Sequence, residues 1–147
     1  MLAVEEDIRR RAEIVLEALS WLGTPYRHQA STKGHGTDCL GLVRGLYRSF
    51  VGTEPEALPP YAPRLTRHGG EPLLEGAERT LVVTETAQPG DIMLFRMRRS
   101  HPVSHCGVLV APHRFIHAYE GRAVLTSAYC AGWRRRTAAV FSLPENS

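Results

Sequence analysis

Thr37-Asp38-Cys39-Leu40-Gly41-Leu42-Val43-Arg44-Gly45-Leu46-Tyr47 carries the pattern that decides the fold of this chain. Cys39, Leu42, Val43, Leu46, Tyr47 and Phe50 recur at helical spacing, so a helix is predicted to begin at Cys39 and to turn one apolar face toward a core. Thr37 and Asp38 both suit the cap of its first turn. A thiol at a helix N-terminus meets the positive end of the helix dipole and backbone N–H groups, and both favour the thiolate. The same N–H groups can hold the oxyanion of a tetrahedral intermediate. Gly36, Gly41 and Gly45 leave room for close approach around it. The competing reading is an inert cysteine buried in a core helix, and spacing alone does not separate the two.

Outward from this stretch, residues 4–22 are predicted to form an amphipathic helix. Its apolar face would be Ile8, Ala12, Val15, Leu16, Leu19 and Leu22, with Gly23 as its stop. Thr24-Pro25-Tyr26 turns the chain, and the polar residues 27–37 form a loop. Pro55, Pro59, Pro60 and Pro63 make Gly52–Gly70 a long irregular connection, and Glu71–Leu81 a short helix. From Gln88 on the character changes. Pro89-Gly90 is a turn, and 91–97, 106–111, 114–119, 122–127 and 137–143 are candidate strands of an antiparallel meander. Helices first and strands second make the class α+β.

A cysteine nucleophile needs a base, and the base needs an orienting partner. His105 opens one strand and His117 lies in the next. A hairpin turning at Ala111-Pro112-His113 pairs residues whose numbers sum to about 222 to 224, so His105 faces a residue between 117 and 119. In an even register the two histidines share one face, as a base and its orienter must. Asp38 would cap the helix or bind a substrate ammonium, and Tyr26 would offer a hydroxyl to the thiolate or the substrate. The pairs His101/His105 and His113/His117, with Cys106 between them, have a spacing that converges on a metal only along a helix. Here they fall on strands and turns, and there is no Cys-x-x-Cys, so no metal site is expected.

The 147 residues suit one domain over the whole of 1–147, and a hydrophobic share of 43% is enough for one core. No run approaches the roughly 18 to 20 apolar residues that cross a membrane. The first residues, with Glu5, Glu6, Asp7, Arg9, Arg10 and Arg11, lack the apolar stretch of a secretory signal, so synthesis in the cytoplasm without export is expected. Cys39, Cys106 and Cys130 are too few and too scattered for a disulfide framework. The net charge of +3 is concentrated at Arg96, Arg98 and Arg99 and at Arg134, Arg135 and Arg136. No aromatic pattern accompanies these clusters, so they read as solvated faces rather than a nucleic-acid surface.

Four segments in order resemble the NlpC/P60 cysteine peptidases of the papain-like superfamily: Gly23-Thr24-Pro25-Tyr26-Arg27, Thr37-Asp38-Cys39-Leu40-Gly41-Leu42-Val43, Gln88-Pro89-Gly90-Asp91-Ile92-Met93-Leu94-Phe95, and His105-Cys106-Gly107-Val108 through Phe115-Ile116-His117-Ala118. The resemblance implies N-terminal helices packed on a five- to six-stranded antiparallel sheet. It implies a triad of Cys39 as nucleophile, His105 as general base and His117 as its orienter, and no cofactor. Tyr26, Asp38, Leu40 and Ser104 would line the substrate site. The implied activity is that of a cysteine endopeptidase on amide bonds of peptidoglycan stem peptides. Leu40 stands where the family usually has Ser, and His28-Gln29-Ala30 replaces Trp-Gly-Gly. Both variants resemble the branch found in phage tails and gene transfer agents. That branch implies tail-tip or hub proteins as partners, a place in the particle tail, and action at the cell wall or in the periplasm during DNA delivery. The same departures leave open a structural tail or adaptor protein with a vestigial site, and the superfamily core also serves acyltransferases and thioesterases.

Overall fold

The computed structural model describes residues 2–55 and 70–146. In chain order they form α1 (Leu2–Leu19), β1 (Ser31–Thr32), β2 (Gly36–Thr37), α2 (Cys39–Phe50), α3 (Pro72–Thr80), β3 (Val82–Thr84), β4 (Ile92–Phe95), β5 (His105–Ala111), β6 (Arg114–Ala118), β7 (Val124–Ala128), α4 (Ala131–Arg136) and β8 (Thr137–Ser142). The six-stranded sheet has the order β3-β8-β4-β5-β6-β7, and its paired neighbours are antiparallel. The expected α+β class and the helix beginning at Cys39 are present as read from the sequence.

Both faces of the sheet are covered, which is why all four residues of Ile92-Met93-Leu94-Phe95 are buried. One face carries Ile92, Leu94, Cys106, Val108 and Ile116 and packs with Leu42 and Leu46 of α2 and Ile14 and Ala18 of α1. The other carries Met93, Phe95, Leu109 and Phe115, with Tyr129 and Trp133 over it. Apolar side chains on alternate residues serve one core, and the residues between them serve the other.

Five expectations need correction. α1 is rotated from the expected face: Ile8 is 62% exposed, Leu16 66% and Leu22 49%, while Ile14, Ala18 and Trp21 are buried and, of the expected residues, Leu19 packs against the core. The inward face carries Arg10 and Arg11, whose guanidinium groups find acceptors inside. Arg10 bonds the carbonyls of Leu143, Phe50 and Pro144, and Arg11 bonds Asp91. Long cationic side chains thus cover core surface while their charge is met, so their polarity does not mark the outer face. α1 itself ends at Leu19, not Leu22, in a tight turn closed by the Trp21 N–H on the Ala18 carbonyl and the Leu22 N–H on the Leu19 carbonyl. The 27–37 loop holds the small β1–β2 hairpin, paired Ser31 to Thr37 and Thr32 to Gly36. β3 and the six-residue α4 are additional elements, both short enough to lack a periodic signal. The strands are not a simple meander, because β8 returns to pair between β3 and β4. Most of the Pro-rich connection expected over Gly52–Gly70 lies outside the described residues.

Candidate active site

Cys39 is the first residue of α2, and Asp38 is the N-cap. The buried Asp38 carboxylate accepts the Gly41 N–H at 2.7 Å through Oδ1 and the Gln29 N–H at 2.7 Å through Oδ2. Gln29 adopts a left-handed φ of 62° in making that bond. The cap therefore fixes both the helix start and the loop beside it. Gly41 is needed here, because a Cβ would run into the Ala30 carbonyl and the Thr37 hydroxyl. Of the two roles weighed for Asp38, capping is the one the geometry displays.

The Cys39 side chain reaches His105 and Cys106. The Cys106 thiol, hydrogen-bonded to it, holds Cys39 well below the ordinary thiol range. His105 acts in the same direction through its hydrogen bond and charge, and together they outweigh burial and the charge of Asp38. Cys106 is pushed the other way: the neighbouring Cys39 sulfur and burial hold its proton on.

His105 Nε2 lies 2.7 Å from His117 Nδ1, and His117 Nε2 lies 2.9 Å from Ser127 Oγ. His117 is fully buried, and burial together with the charge of His105 lowers its pKa to about 3, so it stays neutral. A neutral imidazole has one N–H. If His117 Nδ1 accepts from His105 Nε2–H, then His117 Nε2–H donates to Ser127. His105 Nδ1 is left for the Cys39 sulfur. The hairpin register is Val108 to Ile116 and Leu109 to Phe115, which continues to Gly107 opposite His117. A Cβ on Gly107 would lie 2.8 Å from the Phe115 ring and 3.3 Å from His117 Cβ. Aromatic rings enclose the pair, with Phe95 stacked on His105 at 5.8 Å and Trp133 of α4 edge-on to His117 at 5.4 Å.

A cleft of about 330 Å³ opens over Cys39, and Tyr26, Asp38, Leu40, Ser104 and His105 all line it. Tyr26 is half-buried, and burial with the nearby Cys39 and Asp38 raises its pKa, so it presents a protonated hydroxyl to the cleft. The strand leading to Ser104 and His105 is held by Glu71, which takes Arg96 Nη2 at 2.7 Å and the Val103 N–H at 2.7 Å. Arg96 is thus tied to Glu71, and the exposed Arg134 bonds the Tyr129 carbonyl and His113. Of the two basic clusters, Arg96 is neutralised by Glu71, while Arg98, Arg99, Arg134, Arg135 and Arg136 are exposed, as a solvated face requires.

Every residue expected at the site lies around this cleft or, for His117, directly behind His105. Four others were given no site role by sequence: Cys106, Gly107, Ser127 and Trp133. Only Gly107, between two strand halves of large residues, carries a local signal for close backbone approach. Ser127 and Trp133 arrive from β7 and α4, ten residues or more from either histidine in sequence. Among the described residues no group of three or more His, Cys, Asp or Glu side chains is placed to hold a metal, and no helix is long and apolar enough to cross a membrane.

Comparison with known proteins bears on this geometry. The family model described as NlpC/P60 family matches residues 23–142. The chain is 30% identical over 114 residues to the gamma-DL-glutamyl hydrolase of Bacillus subtilis, covering 78% of this chain and 24% of that protein. It is 28% identical over 109 residues to the "Probable endopeptidase NlpC" of Escherichia coli, covering 74% of this chain and 62% of that protein. It therefore spans less than two thirds of either curated relative. The crystal structure of the peptidoglycan hydrolase RipB of Mycobacterium tuberculosis superposes with a TM-score of 0.56 at 21% identity, covering 93% of this chain and 66% of that one, and so shares the fold. With its fold shared and its family model matched across both the cysteine helix and the histidine strands, the chain belongs to the NlpC/P60 family.

Proposed function

We propose that residues 1–147 act as a single catalytic domain, a cysteine endopeptidase that hydrolyses amide bonds in peptidoglycan stem peptides. The observation that carries this reading is the relay from Cys39 through His105 to His117, closed by the 2.7 Å bond between the histidines. The Cys39 thiolate attacks the carbonyl carbon of the scissile amide. The oxyanion that forms lies over the start of α2, where first-turn N–H groups have no intrahelical acceptor. Asp38 already takes the Gly41 N–H, so the N–H groups of Cys39 and Leu40 serve the oxyanion. His105 gives its proton to the departing amine, which leaves an acyl-thioester on Cys39. His105 then takes a proton from water, whose oxygen attacks the thioester and frees Cys39. His117 holds the His105 ring in plane throughout. Tyr26, Leu40 and Ser104 shape the substrate side of the cleft, and no cofactor enters the cycle.

The relatives' names support the choice of substrate: a gamma-DL-glutamyl hydrolase, an endopeptidase and a peptidoglycan hydrolase. The finer reading, a peptidase in a phage or gene-transfer-agent tail with tail-tip or hub partners, rests on Leu40 and His28-Gln29-Ala30, which resemble that branch. The deciding experiment is mass spectrometry of muropeptides after digestion of purified sacculi. The intact protein is expected to release stem-peptide fragments, and Cys39→Ala to release none. Equal release by both would refute the reading. The apolar wall of the cleft, with Val43, Leu73, Leu81 and Ile92, favours one alternative, acyl transfer or thioester hydrolysis. Cleavage of lipid esters without muropeptide release would install it instead.

A further inference from the structure

Cys106 is a buried thiol that the peptidase cycle does not use. It is 1% exposed, sits at the second position of β5 directly after the base His105, and lines the same cleft as Cys39. Alternation along β5 explains the placement. His105 and Gly107 face the aromatic layer, while Cys106 and Val108 face α2. Cys39, at the first turn of that helix, packs against the core cluster that contains Cys106 and lines the same cleft, so the two thiols are neighbours across the α2–β5 contact. Among the described residues both are free thiols, and the third, Cys130, is exposed on another part of the surface.

We propose that Cys39 and Cys106 form a redox pair, in which Cys106 resolves a Cys39 oxidised by a hydroperoxide and the resulting intramolecular disulfide switches the nucleophile off reversibly.

The chemistry balances in two steps. The Cys39 thiolate attacks the terminal oxygen of the hydroperoxide. An S–O bond forms, the O–O bond breaks, and the departing oxygen takes a proton to leave as an alcohol or water. Two electrons pass from sulfur to peroxide, and Cys39 becomes a sulfenic acid. The Cys106 sulfur then attacks the Cys39 sulfur. The S–S bond forms, the S–O bond breaks, and the hydroxyl leaves with the Cys106 proton as water. A dithiol reductant returns both thiols. The arrangement favours the second step at the right moment. While Cys39 is a thiolate, its charge and hydrogen bond keep the proton on Cys106. Once Cys39 is a neutral sulfenic acid that cause is gone, and only burial and the charge of Asp38 remain to hold the proton. A sulfenic acid with no thiol beside it proceeds instead to the irreversible sulfinic acid. Cys106 stands where it intercepts this loss.

The inference rests on Cys39 being the reactive thiol of the proposed peptidase, but its test counts atoms on sulfur and needs no substrate. Hydrogen peroxide is added to the Cys130→Ser protein, remaining thiols are alkylated, and the digest is read by mass spectrometry. The expected result is a cross-linked pair of peptides containing Cys39 and Cys106, loss of two hydrogens from the intact mass, and recovery of both thiols with a dithiol. In Cys106→Val on the same background, Cys39 sulfinic acid is expected to accumulate about tenfold more and to resist the dithiol. Sulfinic acid at Cys39 without a cross-link in the two-thiol protein would overturn the inference even if Cys106→Val failed to fold. A protein that forms the cross-link but releases no stem peptide keeps this inference and refutes the peptidase reading.

Discussion

His117 lies with no exposed surface between His105 and Ser127, and burial lowers its pKa to about 3. The free imidazole titrates near 6.5. Below that pH the unfolded chain takes up a proton that the folded chain refuses. Stability is therefore lost as pH falls from about 6.5 toward about 3, at about 1.4 kcal/mol per pH unit. His117→Asn removes this titration. Between pH 7 and pH 4 its urea-unfolding free energy is expected to fall by about 3 kcal/mol less than that of the parent. Ser127 acts one bond further out. Its hydroxyl lies 2.9 Å from His117 Nε2, and by accepting an N–H there it would keep Nδ1 open to His105. One such hydrogen bond is worth about 1 kcal/mol, so Ser127→Ala should lower kcat for muropeptide cleavage about fivefold with KM unchanged, and Ser127→Thr should restore it. A rise in KM with kcat unchanged would make Ser127 a substrate contact. Cys39, His105 and His117 were legible as residues from their types and spacing. Ser127 was not, because a serine on a strand carries no mark of the partner it meets across β6.

The β5–β6 hairpin is the element that assembles the site. Its observed pairs, Val108 with Ile116 and Leu109 with Phe115, fall within the register expected from the turn at Ala111-Pro112-His113. That register was readable because a short turn fixes pairing locally. The hairpin brings the histidines within 2.7 Å only because Gly107 has no side chain opposite His117. Gly107→Ala should push β6 outward, cost about 1 to 3 kcal/mol by overpacking, and lower cleavage at least tenfold, measured by denaturant unfolding beside the muropeptide assay. Wild-type rates with an intact His105–His117 bond would show that the strand yields without harm. α1 gives the opposite lesson. Its apolar periodicity was visible, yet the buried face is Arg10, Arg11, Ile14 and Ala18, because internal carbonyls and Asp91 receive the guanidinium groups. Periodicity locates a helix, but it does not orient one whose cations find partners inside.

At the scale of the whole molecule, Asp91 ties together parts remote in sequence. Its carboxylate accepts Arg11 of α1 at 2.7 Å, Ser142 of β8 at 2.7 Å and the Gln88 N–H of the preceding turn at 2.9 Å. The Pro-Gly-Asp segment is thus a clamp between the first helix and the last strand. Asp91→Ala leaves the mostly buried Arg11 with only the exposed Asp7 as its acid and should cost about 3 kcal/mol, lowering Tm by roughly 10 °C. Thermal unfolding checks this, and an unchanged Tm would remove Asp91 from the stabilising frame. The sequence by itself determined the α+β class, the helix start at Cys39, the hairpin and the placing of Cys39, His105 and His117 as candidates, since each follows from local periodicity, turn chemistry or residue type. Only the tertiary structure decided which face of α1 is buried, where β8 inserts, and that Ser127, Trp133 and Cys106 gather around the two histidines and the nucleophile. Those facts depend on contacts between segments far apart in the chain, and local spacing carries no record of them. For Cys39, whose helix-start position alone left reactivity and inert burial unresolved, the neighbours supplied by the fold are what draw its thiol toward the thiolate.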